Sequence, residues 1–407
     1  GLSEDGTVAV SSTSYSKDGK YLAYALSASG SDWRDWYVRD IESGKDLEDV
    51  IKWTKFIGAS WSADGKGFYY GGYEAPKEGE VYEGANYYQK LYYHTLGTKQ
   101  DDDRLVYERK DHKDWEFGGY VTEDGKYLII DVSVGTDRRN RVYYQKLGKK
   151  RGATVEKGKV VELLNDFDAS YGFIDNDGPI FYFRTDLDAP RARVIAIDTR
   201  KPERKHWKEL IPESEHTLRG VSRVGDKFIA SYMADASSRV KVFDLKGKFV
   251  RDVELPGIGS AGGFGGDRKD KSTYYSYSSF TRPSSIYSYD LASGESKLFW
   301  EPKLGFDPSK YETKQVFYSS YDGTRVPMFI THGHVACLNF LGSAVQVFGP
   351  TATTESAKVL HSLLDNVSTA VFSVLQQKLR ENKLRDAAPL LLGFWELVHL
   401  YVAVAVP

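Results

Sequence analysis

The feature that most limits the fold is a phrase that recurs along the chain. Tyr15–Ser27 reads YSKDGKYLAYALS, a polar turn centred on Asp18-Gly19 followed by a run of apolar and aromatic residues. Aspartate and glycine favour a tight turn, and the aromatic run favours a strand. Further copies stand roughly 45 to 60 residues apart, a spacing typical of repeat architectures. They are found at Trp61–Tyr73, Val121–Ser133 and Ile174–Asp186, and in weaker form at Arg223–Asp235 and Gly266–Phe280.

A second phrase, a strand that ends in a polar turn, follows each copy. Examples are KLYYHTLGT at Lys90–Thr98 and RVYYQKLGK at Arg141–Lys149. Each repeat thus contains a turn, an apolar strand, an alternating strand and a further strand, which is the content of a four-stranded antiparallel blade. We interpret the chain as all-β, a β-propeller of six complete four-stranded blades, in preference to a chance recurrence of tyrosine-rich strands.

Composition narrows the classes of partner and compartment. The formal net charge is -2, so nothing favours binding to nucleic acid, and a membrane partner is also unexpected. The single cysteine, Cys337, excludes an internal disulfide and favours a reducing, cytoplasmic location. GLSEDGTVAV at the start does not resemble a signal peptide.

The pattern divides the chain into four parts. Residues 1–14 are interpreted as the remnant of an earlier blade, and 15–313 as the propeller. Residues 314–332 are predicted to form a hairpin around Asp322-Gly323, and 333–407 a divergent tail. In this tail, apolar residues at helical spacing predict a short α-helical segment from Thr354 to about Asn382. The apolar stretch 387–406 could cross a bilayer, but its internal Glu396 favours a helix packed against a partner.

No catalytic or metal-binding constellation is evident. The sequence contains no G-x-S-x-G motif, which would mark a nucleophile on a strand-to-helix turn. The closest phrase, GIGSAGG around Ser260, is interpreted as a turn between blades. His332 and His334 could form a two-histidine metal hook, but a third ligand is missing nearby. We therefore expect no catalytic residue, no metal and no cofactor.

Several phrases together resemble the prolyl oligopeptidase family. These are the repeats themselves, LSASGSDW at Leu26–Trp33, SSFTRPSSIYSYDL at Ser278–Leu291 and YDGTRVPMFITH at Tyr321–His332. The resemblance runs through Leu2–His332. It implies a seven-bladed propeller that covers an α/β-hydrolase domain, whose Ser–Asp–His triad cleaves short peptides after proline. The family's first blade is expected to be absent here apart from Gly1–Ser14, so this chain would be a six-bladed remnant. After His332 it departs from the family pattern, where the hydrolase domain would continue.

The resemblance also implies roles for individual propeller residues. Phe56 in WTKFIGASW, Phe117 in DWEFGGY and Thr136 before the D-x-x-N-R phrase correspond to the outer substrate pocket. Asp32 and Trp33 correspond to residues at the interface with the hydrolase domain. For the two phenylalanines, ordinary packing between blades is the competing interpretation, and we prefer the pocket.

The function implied is the substrate-gating portion of a peptidase, acting on oligopeptides and inactive without its triad. A hydrolase domain acting in trans is then a possible partner. The alternative is a non-enzymatic interaction module whose apolar tail docks a partner or a membrane.

Overall fold

The structure is a computed structural model that describes residues 2–76, 86–150 and 153–333, and the backbone of 402–404. Strands joined by turns and loops make up almost all of these residues. Short 3-10 helices occur at Gln100–Asp102, Arg204–His206 and Pro308–Lys310. The chain divides into two compact units, Gly1–Glu213 and Ser214–Pro407, and each is described by itself.

The first unit contains four antiparallel four-stranded sheets, each made from consecutive strands. Sheet 1 consists of β1 (Val8–Tyr15), β2 (Tyr21–Ala28), β3 (Arg34–Asp40) and β4 (Asp46–Thr54). Sheet 2 consists of β5 (Ser60–Trp61), β6 (Gly67–Gly72), β7 (Lys90–Thr95) and β8 (Arg104–Tyr107). Sheet 3 consists of β9 (Trp115–Val121), β10 (Tyr127–Val134), β11 (Arg141–Lys150) and β12 (Ala153–Leu164). Sheet 4 consists of β13 (Tyr171–Asp177), β14 (Ile180–Thr185), β15 (Arg193–Asp198) and β16 (Lys208–Ile211).

The second unit contains two more sheets of the same kind and a smaller sheet. Sheet 5 consists of β17 (Thr217–Val224), β18 (Lys227–Ala234), β19 (Ser237–Asp244) and β20 (Phe249–Asp252). Sheet 6 consists of β21 (Ser260–Gly265), β22 (Ser272–Ser278), β23 (Ser285–Asp290) and β24 (Ser296–Trp300). The third sheet pairs β25 (Tyr311–Ser319) with β26 (Arg325–Gly333), and β26 with β27 (Val402–Val404). Six four-stranded antiparallel sheets confirm the predicted fold class.

The recurring Asp-Gly phrase joins the first strand of a sheet to the second. In sheet 2 the hydroxyl of Ser62 donates to Asp64, and the amide of Lys66 donates to the same carboxylate oxygen. The same bonds recur with Ser16 and Asp18 in sheet 1 and with Thr122 and Asp124 in sheet 3. A glycine occupies the left-handed position of each turn: Gly19 at φ +69°, Gly65 at φ +64° and Gly125 at φ +66°. A repeated local interaction therefore explains the repeated sequence.

One predicted boundary is wrong. The sequence pattern assigns residues 1–14 to an earlier blade, but β1 pairs with β2 along its length, from Val8 opposite Ala28 to Tyr15 opposite Leu22. The Asp-Gly turn lies between the first and second strands of a sheet rather than ahead of its first strand, so the repeat begins one strand earlier than its clearest phrase suggests.

Neighbouring sheets within a unit share a core, and sheets 2 and 3 have such a core on each face, which explains their nearly continuous apolar strands. Alternate residues of β10 show this: Leu128 and Ile130 pack in the core shared by sheets 2 and 3. Ile129 packs instead in the core shared by sheets 3 and 4. Similar cores lie between sheets 1 and 2 and between sheets 5 and 6.

The hairpin predicted at 314–332 is formed by β25 and β26. The predicted α-helical tail, including Thr354–Asn382, lies outside the described residues. In the apolar stretch 387–406 the described part is β27, a strand. None of the helices in the described parts of the chain is long and apolar enough to cross a membrane.

Candidate functional site

Phe56 is held in an unusual backbone conformation between sheets 1 and 2. The Ile57 amide donates to the Lys55 carbonyl at 2.6 Å, which closes a three-residue turn around Phe56. Phe56 has φ +58°, a left-handed conformation that is uncommon for a residue other than glycine. Its side chain is 50% exposed. An aromatic side chain is thus presented to solvent at a local cost in backbone energy, a combination that is enriched at binding sites.

Lys55, the first residue of this turn, packs against Trp33. The Lys55 ammonium lies 3.9 Å from the centre of the Trp33 ring, in the geometry of a cation–π contact. Trp33 also meets the edge of Trp53 at 5.5 Å. Burial lowers the pKa of Lys55, and the charge of Asp32 partly offsets this effect. The β2–β3 loop, which carries the two predicted interface residues, is therefore joined to the turn that carries Phe56.

A cavity of about 320 Å³ opens beside Trp33. It lies among the β6–β7 and β8–β9 connections, and its walls combine aromatic and charged side chains. The described residues that line it are Trp33, Tyr73, Glu74, Pro76, Asn86, Tyr87, Tyr88, Gln89, Lys90, Glu108, Arg109 and Lys110. Tyr73 meets the Trp33 ring edge-on at 5.8 Å, and its hydroxyl donates to Glu116. Because Glu74 pairs with Lys90 and Glu108 with Lys110, the charges of the wall are largely balanced.

The structure places Phe117 in the core, not in a pocket. Its side chain has 0% exposure and packs in the core of sheets 2 and 3. Its ring meets that of Tyr107 edge-on at 5.2 Å. A ring enclosed in this way presents no face to a ligand, so the packing interpretation describes Phe117 and the substrate-binding prediction is not supported. The alternation Trp115–Glu116–Phe117 was the available signal, because Trp115 and Phe117 fall on one face of β9.

Thr136 is exposed in the β10–β11 loop. Hydrogen bonds made by the residues after Thr136 hold the loop in place. Asp137 accepts hydrogen bonds from the backbone and side chain of Arg139. The Asn140 side chain exchanges two hydrogen bonds with the backbone of Tyr171, at 2.7 and 3.0 Å, and so joins the loop to sheet 4. Thr136 is therefore an accessible side chain on an ordered loop.

Four of the five predicted residues lie in connections at the same end of their sheets. Asp32 and Trp33 are in the β2–β3 loop, Phe56 is in the β4–β5 connection and Thr136 is in the β10–β11 loop. The structure brings Asp32, Trp33 and Phe56 together through Lys55. Lys55 and Tyr73 were not predicted from sequence, since nothing in their local sequence distinguishes them from other strand-end residues.

The described residues contain no group of three or more histidine, cysteine, aspartate or glutamate side chains suited to a metal ion. His334, one half of the predicted two-histidine hook, lies outside the described part of the chain. Ser260 is the first residue of β21, paired with Ser278.

Comparison with known proteins gives a consistent result. Residues 1–302 match the family described as prolyl oligopeptidase, N-terminal beta-propeller domain. Prolyl endopeptidase from Elizabethkingia miricola is 36% identical over 331 residues, which is 81% of this chain and 46% of that protein.

Solved structures agree in fold. One, from an analysis of two prolyl endopeptidases, has a TM-score of 0.70 and 35% identity over 81% of this chain and 46% of that chain. Another is prolyl oligopeptidase B from Galerina marginata bound to a 35mer hydrolysis and macrocyclization substrate. It has a TM-score of 0.73 and 28% identity, over 82% and 48% of the two chains. The chain spans about half the length of the relatives that it matches. With six four-stranded blades and a family match over residues 1–302, the chain belongs to the prolyl oligopeptidase family, of which it carries the β-propeller portion.

Proposed function

We propose that this chain is the substrate-gating propeller portion of a prolyl oligopeptidase-like serine peptidase, and that it binds short proline-containing peptides around Phe56. The observation that carries the proposal is the exposed Phe56 ring, held at φ +58° in a tight turn. A flat, apolar ring of this kind suits the side chain or the pyrrolidine ring of a peptide.

The relatives support the same substrate class. The relative from Elizabethkingia miricola is named a prolyl endopeptidase, and the Galerina marginata enzyme was solved with a 35mer substrate. In the proposal, Phe56 and Thr136 contact the peptide. Asp32 and Trp33 contact a hydrolase domain, which supplies the Ser–Asp–His triad.

We propose further that these 407 residues bind peptides without cleaving them, since their sequence has no G-x-S-x-G motif. The purified chain should not turn over a proline-containing chromogenic peptide. Addition of a separately expressed hydrolase domain from a family member should restore cleavage. Turnover by the chain alone, sensitive to a serine-peptidase inhibitor, would contradict the proposal.

Binding is tested with acetyl-Phe-Gly-Pro-amide and isothermal titration calorimetry. The Phe56→Gly variant removes the ring and keeps a residue that tolerates positive φ. Tyr88→Gly is a matched control, because Tyr88 also has φ +58° and is also 50% exposed. We expect at least tenfold weaker binding for Phe56→Gly and a smaller change for Tyr88→Gly. Equal affinities for Phe56→Gly and the unmodified chain would refute a role for Phe56. If the chain instead captured unrelated proteins and no peptide, the interaction-module interpretation would be favoured.

A further inference from the structure

Asp131 lies on β10 between the two loops that carry Phe56 and Thr136. It pairs with Gly118 across the β9–β10 ladder. A side-chain carbon built on Gly118 would lie 3.6 Å from Ile57, the residue after Phe56, and 3.9 Å from the Asp131 Cβ. Asp131 therefore stands close to the Phe56 turn, with a residue lacking a side chain opposite it.

The carboxylate of Asp131 has one occupied oxygen and one available oxygen. Oδ2 accepts a hydrogen bond from Asn140 at 2.5 Å, in the loop that carries Thr136. Oδ1 has no hydrogen-bond partner among the described residues, and Asp131 makes no ion pair with any of them. Burial raises the pKa of Asp131 to about 6, although the hydrogen bond from Asn140 acts in the opposite direction. The carboxylate is thus largely desolvated and is compensated by one hydrogen bond but by no cation, so its ionised form would be favoured by a bound cation.

The residue opposite Asp131 on β9 has no side chain. Since no side chain projects from Gly118, the space over its Cα is bounded by Ile57 and Asp131. Tyr120 lies two residues further along the same face of β9, and burial together with the Asp131 charge raises its pKa. The Tyr120 hydroxyl has no hydrogen-bond partner in the described residues either. Around Asp131 the other elements contribute the Asn140 amide and the Tyr171 backbone, neither of which is charged.

We propose that Asp131 is a specificity-determining residue, whose free Oδ1 binds a cationic N–H group of a peptide in the space over Gly118. The inference rests on the proposed peptide binding and adds a preference for charge. A lysine or arginine side chain and a free peptide amine carry the same chemistry, an N–H donor with a positive charge. The peptide would lie against Phe56 while its cation meets Asp131.

The test compares the affinities of three peptide amides for the full chain by calorimetry. Acetyl-Lys-Gly-Pro-amide carries a side-chain cation, Gly-Gly-Pro-amide a terminal cation, and acetyl-norleucine-Gly-Pro-amide none. At pH 7.5 we expect at least one cationic peptide to bind about tenfold or more tightly than the neutral peptide. At pH 5.0 the preference should largely disappear, because Asp131 is then mostly protonated. The first two peptides distinguish the two sources of the cation.

Two variants separate this role from a structural one. Asp131→Asn keeps an acceptor for Asn140 but removes the charge, and should abolish both the preference and its pH dependence. Gly118→Ala adds a methyl group at ordinary contact distances, and should weaken cationic peptides while the unfolding midpoint is retained. Equal affinity of all three peptides, or a preference that survives in Asp131→Asn, would overturn the inference while peptide binding stands. If no peptide binds at all, both this inference and the proposed function fail.

Discussion

The two ends of the first three sheets are built on different principles. At one end, which we call the turn end, the Asp-Gly turns at 16–21, 62–67 and 122–127 repeat the same hydrogen bonds. At the other end, the loop end, the connections differ in length and sequence. Two aromatic residues near the loop end, Trp53 and Phe56, adopt positive φ, and a lysine is buried against Trp33.

The turn end also contains a fully buried ionic cluster. His94 at the end of β7 lies between two carboxylates, with Nε2 2.9 Å from Asp49 and Nδ1 2.7 Å from Asp103. Asp103 also accepts from the Tyr70 hydroxyl, and Asp49 from the Gly97 amide. The cluster joins sheet 1 to sheet 2. The turn end is thus tied together across sheets by hydrogen bonds, whereas the loop end holds the strained and unsatisfied groups to which we assign the proposed peptide binding.

The largest expected effect follows from removing the central cation of this cluster. His94→Leu leaves two buried carboxylates without their shared cation, and we expect a loss of about 3–5 kcal/mol in the free energy of unfolding. Urea unfolding followed by tryptophan fluorescence measures it. The exposed His206 is the control, for which His206→Leu should change stability by less than about 0.5 kcal/mol. A loss near zero for His94→Leu would show that the cluster does not support the turn end.

The pH dependence of stability tests the contribution of the His94 cluster in a second way. Burial alone would lower the pKa of His94, but hydrogen bonds to Asp103 and Asp49 outweigh it and raise the pKa to about 9. Because the folded value lies above the unfolded value, the stabilisation is complete below about pH 6.5 and is lost as pH rises through 9. The loss should reach about 3–4 kcal/mol, at about 1.4 kcal/mol for each unit of the pKa difference. It is measured by urea titrations from pH 6 to pH 10, and should be absent in His94→Leu.

A carboxylate of the turn end should contribute more stability than one of the loop end. Asp64 accepts from Ser62 and Lys66 in its own turn, and from the amide and hydroxyl of Thr154 in sheet 3. We expect Asp64→Ala to cost about 1–3 kcal/mol, since it leaves buried donors unpaired. Asp32→Ala, at an exposed position of the loop end, should cost less than about 0.5 kcal/mol. Thermal unfolding of both variants gives the comparison, and equal losses would contradict it.

The smallest expected change in stability is a gain rather than a loss. Phe56→Gly places glycine at φ +58°, and relief of backbone strain should keep stability unchanged or raise it by up to about 1 kcal/mol. A loss above about 1 kcal/mol on thermal unfolding would mean that the Phe56 ring stabilises the fold, which would remove the contrast between the two ends.

The fold could be predicted because its signals are local. Each Asp-Gly turn fixes the strand that follows it, as in Lys126–Val132, and six copies made the count of blades secure. The boundary at residues 1–14 was wrong because the Asp-Gly turn follows the first strand of each sheet, so β1 stands ahead of the phrase that marks its blade. Its pairing with β2, which the structure shows, assigns β1 to sheet 1.

The site was harder to predict, since its determining features are not local. Nothing in WTKFIGASW indicates that Phe56 adopts positive φ, because this conformation is imposed by the connection between two sheets. The cluster of Asp49, His94 and Asp103 combines residues from different strands and two sheets. Asp131 could not be singled out from the sequence, because an aspartate inside an apolar strand looks like an ordinary surface position until its partners are known.

Hydrogen exchange with and without a bound peptide tests the central claim most directly. The chain is incubated in D2O at pH 7.5, with and without saturating acetyl-Phe-Gly-Pro-amide, and exchange is followed by mass spectrometry. The account predicts slower exchange at the loop end, in residues 53–60 and 134–140, and unchanged exchange in the Asp-Gly turns at 16–21, 62–67 and 122–127. Protection confined to those turns, or no protection anywhere, would contradict the assignment of peptide binding to the loop end.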